Sequence, residues 1–261
     1  MPRYRADLHV HSCLSPCADI DVSPRTLARR AASLGLDMLA LTDHNSCANG
    51  PAHQDCCRQE RIVPVFGMEL TTLEEVHCLC LFEDLDGALD FQNLVYSGLS
   101  RFPVDENFYY PQLLVNSQEE ILDQVYFLLT PASALDISTA LSEVHQRGGI
   151  FVPAHIDKPR DSLFSQLGFL PTDPFDAVEI TLPPDESTKR IRRGKLPFVA
   201  NSDCHILEDL AQRYTEFEAE HCSFGELKKA LAIARARGND QLPQPPTNWV
   251  AGVWGFPSRK T

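Results

Sequence analysis

Eight side chains able to bind metal ions sit at the ends of short apolar runs. His9 and His11 close the first run, His44 follows the second, Glu69 the third, His77 opens the next, His155 follows another, and Asp203 and His205 follow the last. Side chains alternate along a strand, so His9 and His11 share a face, with Asp7 if the strand stays regular, and Asp203 shares one with His205. A single His-x-His is a weak signal. Here six of nine histidines fit the pattern; His53, His145 and His221 do not, and read as packing or surface residues. Imidazole and carboxylate together suit borderline transition metals. The set exceeds the needs of one ion, so two or three divalent ions (Zn, Mn or Fe) are expected as cofactors. Glu69 could bridge two of them at the ~3.5–4 Å separation of two-metal hydrolases, and a shared water would lose a proton near neutral pH and attack as hydroxide. Metal-assisted hydrolysis is the chemistry these residues point to.

The elements that must hold them can be read from the surrounding pattern. Short β-branched runs bounded by Gly, Pro, Asp or Asn mark buried strands at 4–10, 37–42, 62–66, 77–82, 150–154, 176–181 and 197–200. Helices fit between several of them. Ser23, followed by Pro24, opens one that aligns Leu27, Ala31 and Leu34 and closes at Gly35. Another begins at Asp136 or Ser138 and ends at Gly148–Gly149, and Ser223 with Glu226 opens a third running to Gly238. The alternation predicts an α/β fold. Glu69 to His77 is too short for a parallel crossover, so that pair of strands is expected to be antiparallel, with His77 beside Glu69. Residues 83–135 interrupt the alternation. Within them, two runs around the turn at 117–120 read as a β-hairpin arm with Phe108, Tyr109 and Tyr110 at its base. One domain over 1–238 is expected, then a Pro- and Trp-containing tail over 239–261.

The 261 residues are 43% hydrophobic and 23% charged, which suits one large α/β domain and excludes a disordered chain. No apolar run approaches the ~20 residues of a membrane span, and the first residues lack the apolar stretch of a signal peptide; a cytoplasmic protein is expected. With 23 basic and 36 acidic residues the formal charge is −13. That balance disfavours duplex nucleic acid and anionic membrane while leaving room for one basic pocket. Nine cysteines without an export signal read as free thiols or metal ligands. Cys78 and Cys80 look like small core residues of a strand, and nothing singles out Cys56 or Cys57.

Taken in order, DLHVHS at 7–12, LTDHN at 41–45, GMEL at 67–70, His77, PAHID at 153–157 and NSDCH at 201–205 resemble the motifs of the PHP (polymerase and histidinol phosphatase) family of metal-dependent phosphoesterases. The resemblance covers roughly residues 4–210. It implies a distorted seven-stranded β/α (TIM-like) barrel, here with a β-hairpin insertion over 83–135, and a site for two or three metals. It implies His9, His11, Glu69 and Asp203 on one ion, Glu69, His77 and His155 on a second, and His44 with His205 on a third. The family usually adds a His or Asp to the third site shortly after the second histidine of the first motif. Here Cys17 is the best candidate, with Asp19 next, and a thiolate would favour zinc or iron. Asp43 is a ligand or, like Asp7, orients ligands from behind.

A phosphorylated substrate also needs cationic partners. Lys158 and Arg160 follow the His155 strand, Arg192, Arg193 and Lys195 precede the Asp203 strand, and Arg213 follows the last ligand pair. Each is a candidate phosphate contact. The expected activity is hydrolysis of a phosphomonoester, a small nucleotide or a short oligonucleotide end, with Glu69, Asp203 and His205 carrying catalysis and His205 or a metal-bound water protonating the leaving oxygen. The alternative is a catalytically silent, metal-holding accessory subunit that meets a protein partner through the hairpin arm or the C-terminal tail.

Overall fold

The computed structural model describes residues 1–181 and 196–237. Its strands are β1 (Arg3–Asp7), β2 (Met38–Leu41), β3 (Val63–Thr71), β4 (His77–Phe82), β5 (Gln112–Val115), β6 (Ile121–Val125), β7 (Ile150–Pro153), β8 (Val178–Glu179), β9 (Phe198–Val199) and β10 (Thr215–Glu218). Its helices are α1 (Pro24–Leu34), α2 (Gly50–Glu60), α3 (Leu85–Gly98), α4 (Ile137–Gln146), α5 (Leu163–Gln166) and α6 (Phe224–Arg237). Among these residues no helix is long and apolar enough to cross a membrane.

Local chemistry accounts for the helix ends. Ser23 accepts from the Thr26 amide while Thr26 answers to the Ser23 amide, Pro24 occupies the first turn, and Gly35 closes α1 at φ 73°. Asp136, rather than Ser138, caps α4 by accepting from the Thr139 amide at 2.7 Å. The Ser223 hydroxyl accepts from the Glu226 amide at the start of α6.

The main sheet curls through six strands in the order β10-β1-β2-β3-β4-β7. β1, β2 and β3 run parallel, while β4 is antiparallel to both β3 and β7. The first residue of β4 therefore lies at the same end of the sheet as the C-termini of β1, β2, β3 and β7. Both faces of β4 are buried: Cys78, Cys80 and Phe82 meet Phe91 of α3 and Val144 of α4, whereas Leu79 and Leu81 meet Met38, Val65 and Val152 on the other side. That is why the strand reads as a continuous apolar run.

Two expectations change. β8 and β9 form a separate parallel pair, so the fold is mixed α/β with a curled six-stranded sheet and not one seven-stranded ladder. Side chains interrupt the ladder at this seam: the Leu8 amide donates to Asn201 Oδ1 at 3.0 Å, and the His155 amide to Glu179 Oε2 at 2.9 Å. Residues 83–135 are also not a projecting arm. They open with α3, whose Phe91 and Val95 lie in the core, and β5 is buried, with the Leu113 amide donating to the Cys13 carbonyl at 2.9 Å. The antiparallel β5–β6 pair does form, with Phe108 and Tyr110 exposed before it. The 239–261 tail lies outside the described residues.

Candidate metal centre

All eight residues singled out for metal chemistry converge at that one end of the sheet. His9 and His11 lie just past β1, His44 past β2, Glu69 within β3, His77 at the head of β4, His155 past β7, and Asp203 and His205 past β9. The β3–β4 register pairs Thr71 with His77, which makes His77 a diagonal neighbour of Glu69 on one face. Two of the residues occupy left-handed backbone, His155 at φ 29° and Asp203 at φ 56°. Such conformations cost about 1–3 kcal/mol each and persist where the surroundings enforce them. The Asp203 amide is held by the His9 carbonyl at 2.9 Å, and the His155 amide by Glu179.

Glu69 is the hub. Its Oε1 lies 2.8 Å from His77 Nδ1, 2.9 Å from His155 Nε2 and 3.3 Å from His9 Nε2. Its Oε2 lies 3.1 Å from His44 Nδ1 and 3.3 Å from His11 Nε2. Burial opposes ionisation, but the imidazoles of His77, His9 and His44 hold the Glu69 carboxyl well below the usual carboxylate range. Asp203 behaves alike: against burial, His9, His11, His205 and Lys158 keep it ionised. Lys158 reaches this centre directly, its Nζ donating to Asp203 Oδ2.

The donor atoms fall into three groups whose members lie within 4.8 Å of one another: His9, His11, Glu69 and Asp203; His44, Glu69 and His77; and His11, His44 and His205. Whether these groups fit metal ions can be judged from the nitrogens. His9 Nε2 and His11 Nε2 face each other at 3.2 Å, a contact that requires a proton or another cation between two lone pairs. His44 Nδ1 and His155 Nδ1 are buried with no aligned hydrogen-bond partner, which is costly for a nitrogen serving only the fold. His205 donates through Nδ1 to the Asp203 carbonyl at 2.9 Å, leaving Nε2 as a lone pair, and burial pushes its pKa down to about 4. The residues present fit the binding of divalent metal.

The remaining candidates divide. Asp43 accepts from the Ser12 amide and from the hydroxyls of Ser12 and Ser15, and Ser15 Oγ in turn lies 2.9 Å from His11 Nδ1. Asp7 faces away, accepting from the Ser202 and Ala211 amides at 3.0 Å, and burial raises its pKa to about 6. Cys17 belongs to none of the three groups. It keeps some solvent exposure, and desolvation, then the Glu69 and Asp203 charges, push its thiol up. Asp19 caps the adjoining loop by accepting from the Asp21 amide. Arg213 donates to the Asn201 and Ser202 carbonyls, each at 3.0 Å, and Arg160 is exposed. Arg192, Arg193 and Lys195 lie outside the described residues.

Sequence reasoning missed Glu179. It is 1% exposed and lies 3.0 Å from His9 Nδ1, while Asn201 Nδ2 donates to it at 2.8 Å. The available signal was a carboxylate in the middle of a buried apolar run, DAVEIT, where a charge must find partners.

Comparison with known proteins agrees with this geometry. The PHP domain profile matches residues 7–152, more than half of the chain, and the PHP-associated profile matches residues 185–235. The uncharacterized protein YqxK of Bacillus subtilis (strain 168) is 32% identical over 97 residues, a stretch that is 34% of this chain and 25% of that protein. The lesion-specific endonuclease PfuEndoQ of Pyrococcus furiosus has a similar fold, with a TM-score of 0.65 at 18% identity over 91% of this chain and 57% of its own. An endonuclease Q complex with a 27-mer duplex carrying an abasic lesion gives 0.62 at 17% identity, over 89% of this chain and 57% of that one. A protein assigned as a metal-dependent phosphoesterase from Bifidobacterium adolescentis gives 0.56 at 18% identity, over 87% of this chain and 95% of its own. This chain thus spans a quarter of YqxK and a little over half of the endonuclease Q chains.

Proposed function

This chain belongs to the PHP domain family, and we propose that it is a metal-dependent hydrolase of phosphomonoesters, small nucleotides or short oligonucleotide ends. The observation that carries the reading is Glu69, in reach of five imidazoles and bordered by Asp203 and Lys158. His9, His11, Glu69 and Asp203 would hold one ion, Glu69 with His77 and His155 a second, and His44 with His205 a third, which Cys17 or Asp19 would complete. Zinc, manganese or iron bound there supplies Lewis acidity toward a phosphoryl oxygen and a nucleophilic water at neutral pH.

The protein's own groups have separate tasks. Glu69, ionised and buried, joins the first two ligand groups, so its loss disables both. Lys158 stays protonated, because Asp203 outweighs the effect of burial on it, and its ammonium neutralises charge growing on the phosphoryl oxygens. Burial pushes the His205 ring down to about 4, so at neutral pH it is uncharged and would offer its Nε2 lone pair as a ligand. Asp43, through Ser15, aims His11, and Arg213 braces the loop that carries Asp203.

Net charge is a property of the whole surface, whereas substrate choice depends on the field at the mouth. The duplex-bound endonuclease Q shares this fold, so a duplex with a damaged nucleotide belongs in the substrate panel despite the −13 charge. The test is hydrolysis of phosphomonoesters, nucleoside bisphosphates, short oligonucleotides and an abasic duplex in manganese or zinc, beside Glu69→Gln. Wild-type turnover with a loss of about 10³-fold or more in the variant is expected, since Glu69 belongs to two of the groups that would hold ions. Silence from metal-loaded wild type would reject the phosphoesterase reading and favour the accessory subunit.

A further inference from the structure

We propose that Glu179 is a positioning residue that fixes the tautomer of His9 and thereby sets the affinity of the centre for metal; the inference rests on the metal-site reading above. Three N–H donors converge on its two oxygens. Oε2 receives the His155 amide at 2.9 Å and lies 3.0 Å from His9 Nδ1, while Oε1 receives Asn201 Nδ2 at 2.8 Å and lies 3.2 Å from the same His9 nitrogen. An ionised carboxylate only accepts, so His9 must carry its proton on Nδ1. In the neutral ring that a metal ligand must be, that choice leaves Nε2 as the lone pair, aimed between Glu69 Oε1 and Asp203 Oδ1, each 3.3 Å away. With the opposite tautomer, Nε2–H would point at those two carboxylates and Nδ1 would present a lone pair to a third.

Glu179 also spans the centre. Through His9 it serves the group that includes His11 and Asp203. Through the backbone amide of His155 it holds the left-handed residue whose Nε2 meets Glu69. Asn201 links the same carboxylate to the Leu8 amide one residue before His9, and its Oδ1 also accepts from the Thr215 hydroxyl. One carboxylate therefore sets the ring of one ligand and the main chain of another. Glutamine is nearly isosteric, but its amide nitrogen would confront the His155 amide or the Asn201 amide with a second donor. The charge matters as well as the shape, because an outer carboxylate makes its imidazole a stronger base toward metal.

The test compares wild type, Glu179→Gln and Glu179→Asp after chelator stripping, with manganese or zinc added alone. Metal affinity from calorimetric titration should fall about 10- to 100-fold in Glu179→Gln, the usual cost of losing such a partner. Imidazole nitrogen-15 shifts of the stripped proteins, recorded at a pH alkaline enough for the His9 ring to be neutral, should show His9 protonated at Nδ1 in wild type and a mixture of tautomers in Glu179→Gln. Glu179→Asp, which keeps the charge on a shorter stem, should retain the wild-type tautomer and part of the affinity. Unchanged affinity together with an unchanged tautomer in Glu179→Gln would overturn the proposal. Should Glu179→Gln fail to fold, Glu179→Asp still decides: a mixed tautomer there, or affinity no better than for His9→Ala, would overturn it. Wild type that takes up no ion would reject the metal reading instead, and the nitrogen shifts would still judge the role of Glu179.

Discussion

Lys158 shares the Asp203 carboxylate with the first ligand group, one oxygen each. Its ammonium is bonded to Asp203 Oδ2, yet Asp203 also lies 3.3 Å from His9 and 3.4 Å from His11 through Oδ1. Lys158→Ala should therefore separate two quantities. Turnover should fall about 100-fold, in line with the loss of one group that meets developing charge, whereas metal affinity should hold or tighten because a competing cation has gone. Steady-state kinetics beside a metal titration checks both, and undiminished turnover would remove Lys158 from the chemistry. The contrast with Glu179 explains what the sequence disclosed at this scale. Ligands such as His9 and His11 stand out because histidine is scarce and spaced in pairs. Glu179 is one of 36 acidic residues, and its role appears only when the ends of β1 and β8 bring it beside a ring 170 positions away.

At the scale of elements, β3 and β4 must lie close enough for Glu69 and His77 to meet. Gly67 makes this approach possible: a Cβ there would sit 2.3 Å from the Cys80 carbonyl oxygen of β4. Gly67→Ala should push the two strands apart just two residues before Glu69, cost about 1–3 kcal/mol and lower Tm by several degrees. A thermal melt of the metal-free protein checks this, and an unaltered Tm would mean that the sheet absorbs the methyl group freely. Strand existence was legible wherever both faces are buried, as in β4, whose bounds the apolar run gave without error. α3 was missed, although Ala88, Phe91, Gln92 and Val95 bury one helical stripe, because Gly87 and Gly98 made the segment look like a break in the pattern. β10 was missed for a different reason. It is an edge strand with Thr215 and Phe217 inward and Glu216 and Glu218 outward, an alternation only four residues long.

Across the whole molecule, His53 makes stability depend on acidity away from the centre. The ring is fully buried, Nε2 donates to the Leu39 carbonyl at 3.0 Å, and burial depresses its pKa to about 4. The unfolded chain takes up a proton near the ordinary histidine value, about 6.5, which the folded protein refuses until about pH 4. Stability should accordingly decline as pH falls through that window, by about 3 kcal/mol from this residue alone. Urea unfolding at pH 7 and pH 5 should show a smaller loss in His53→Gln than in wild type, and parallel losses would refute the assignment. The α/β class was legible from alternating runs, but the closing of the sheet was not. It depends on Asn201 and Glu179 side chains replacing backbone partners at the β8–β9 seam, a substitution that no periodicity announces.

β1 is flanked by segments that are translated long after it. The His11 amide donates to the Cys204 carbonyl, and Arg3–Ala6 pair with Thr215–Glu218. At translation speeds of about 5–20 residues per second, His9 and His11 emerge roughly 10–40 s before Asp203. Throughout that interval the nascent chain displays the unprotected imidazoles of His9 and His11, which a divalent ion can capture in the wrong arrangement. Early metal is thus a hazard to biogenesis, and expression in metal-poor medium followed by loading of the finished chain is the preparation the topology recommends.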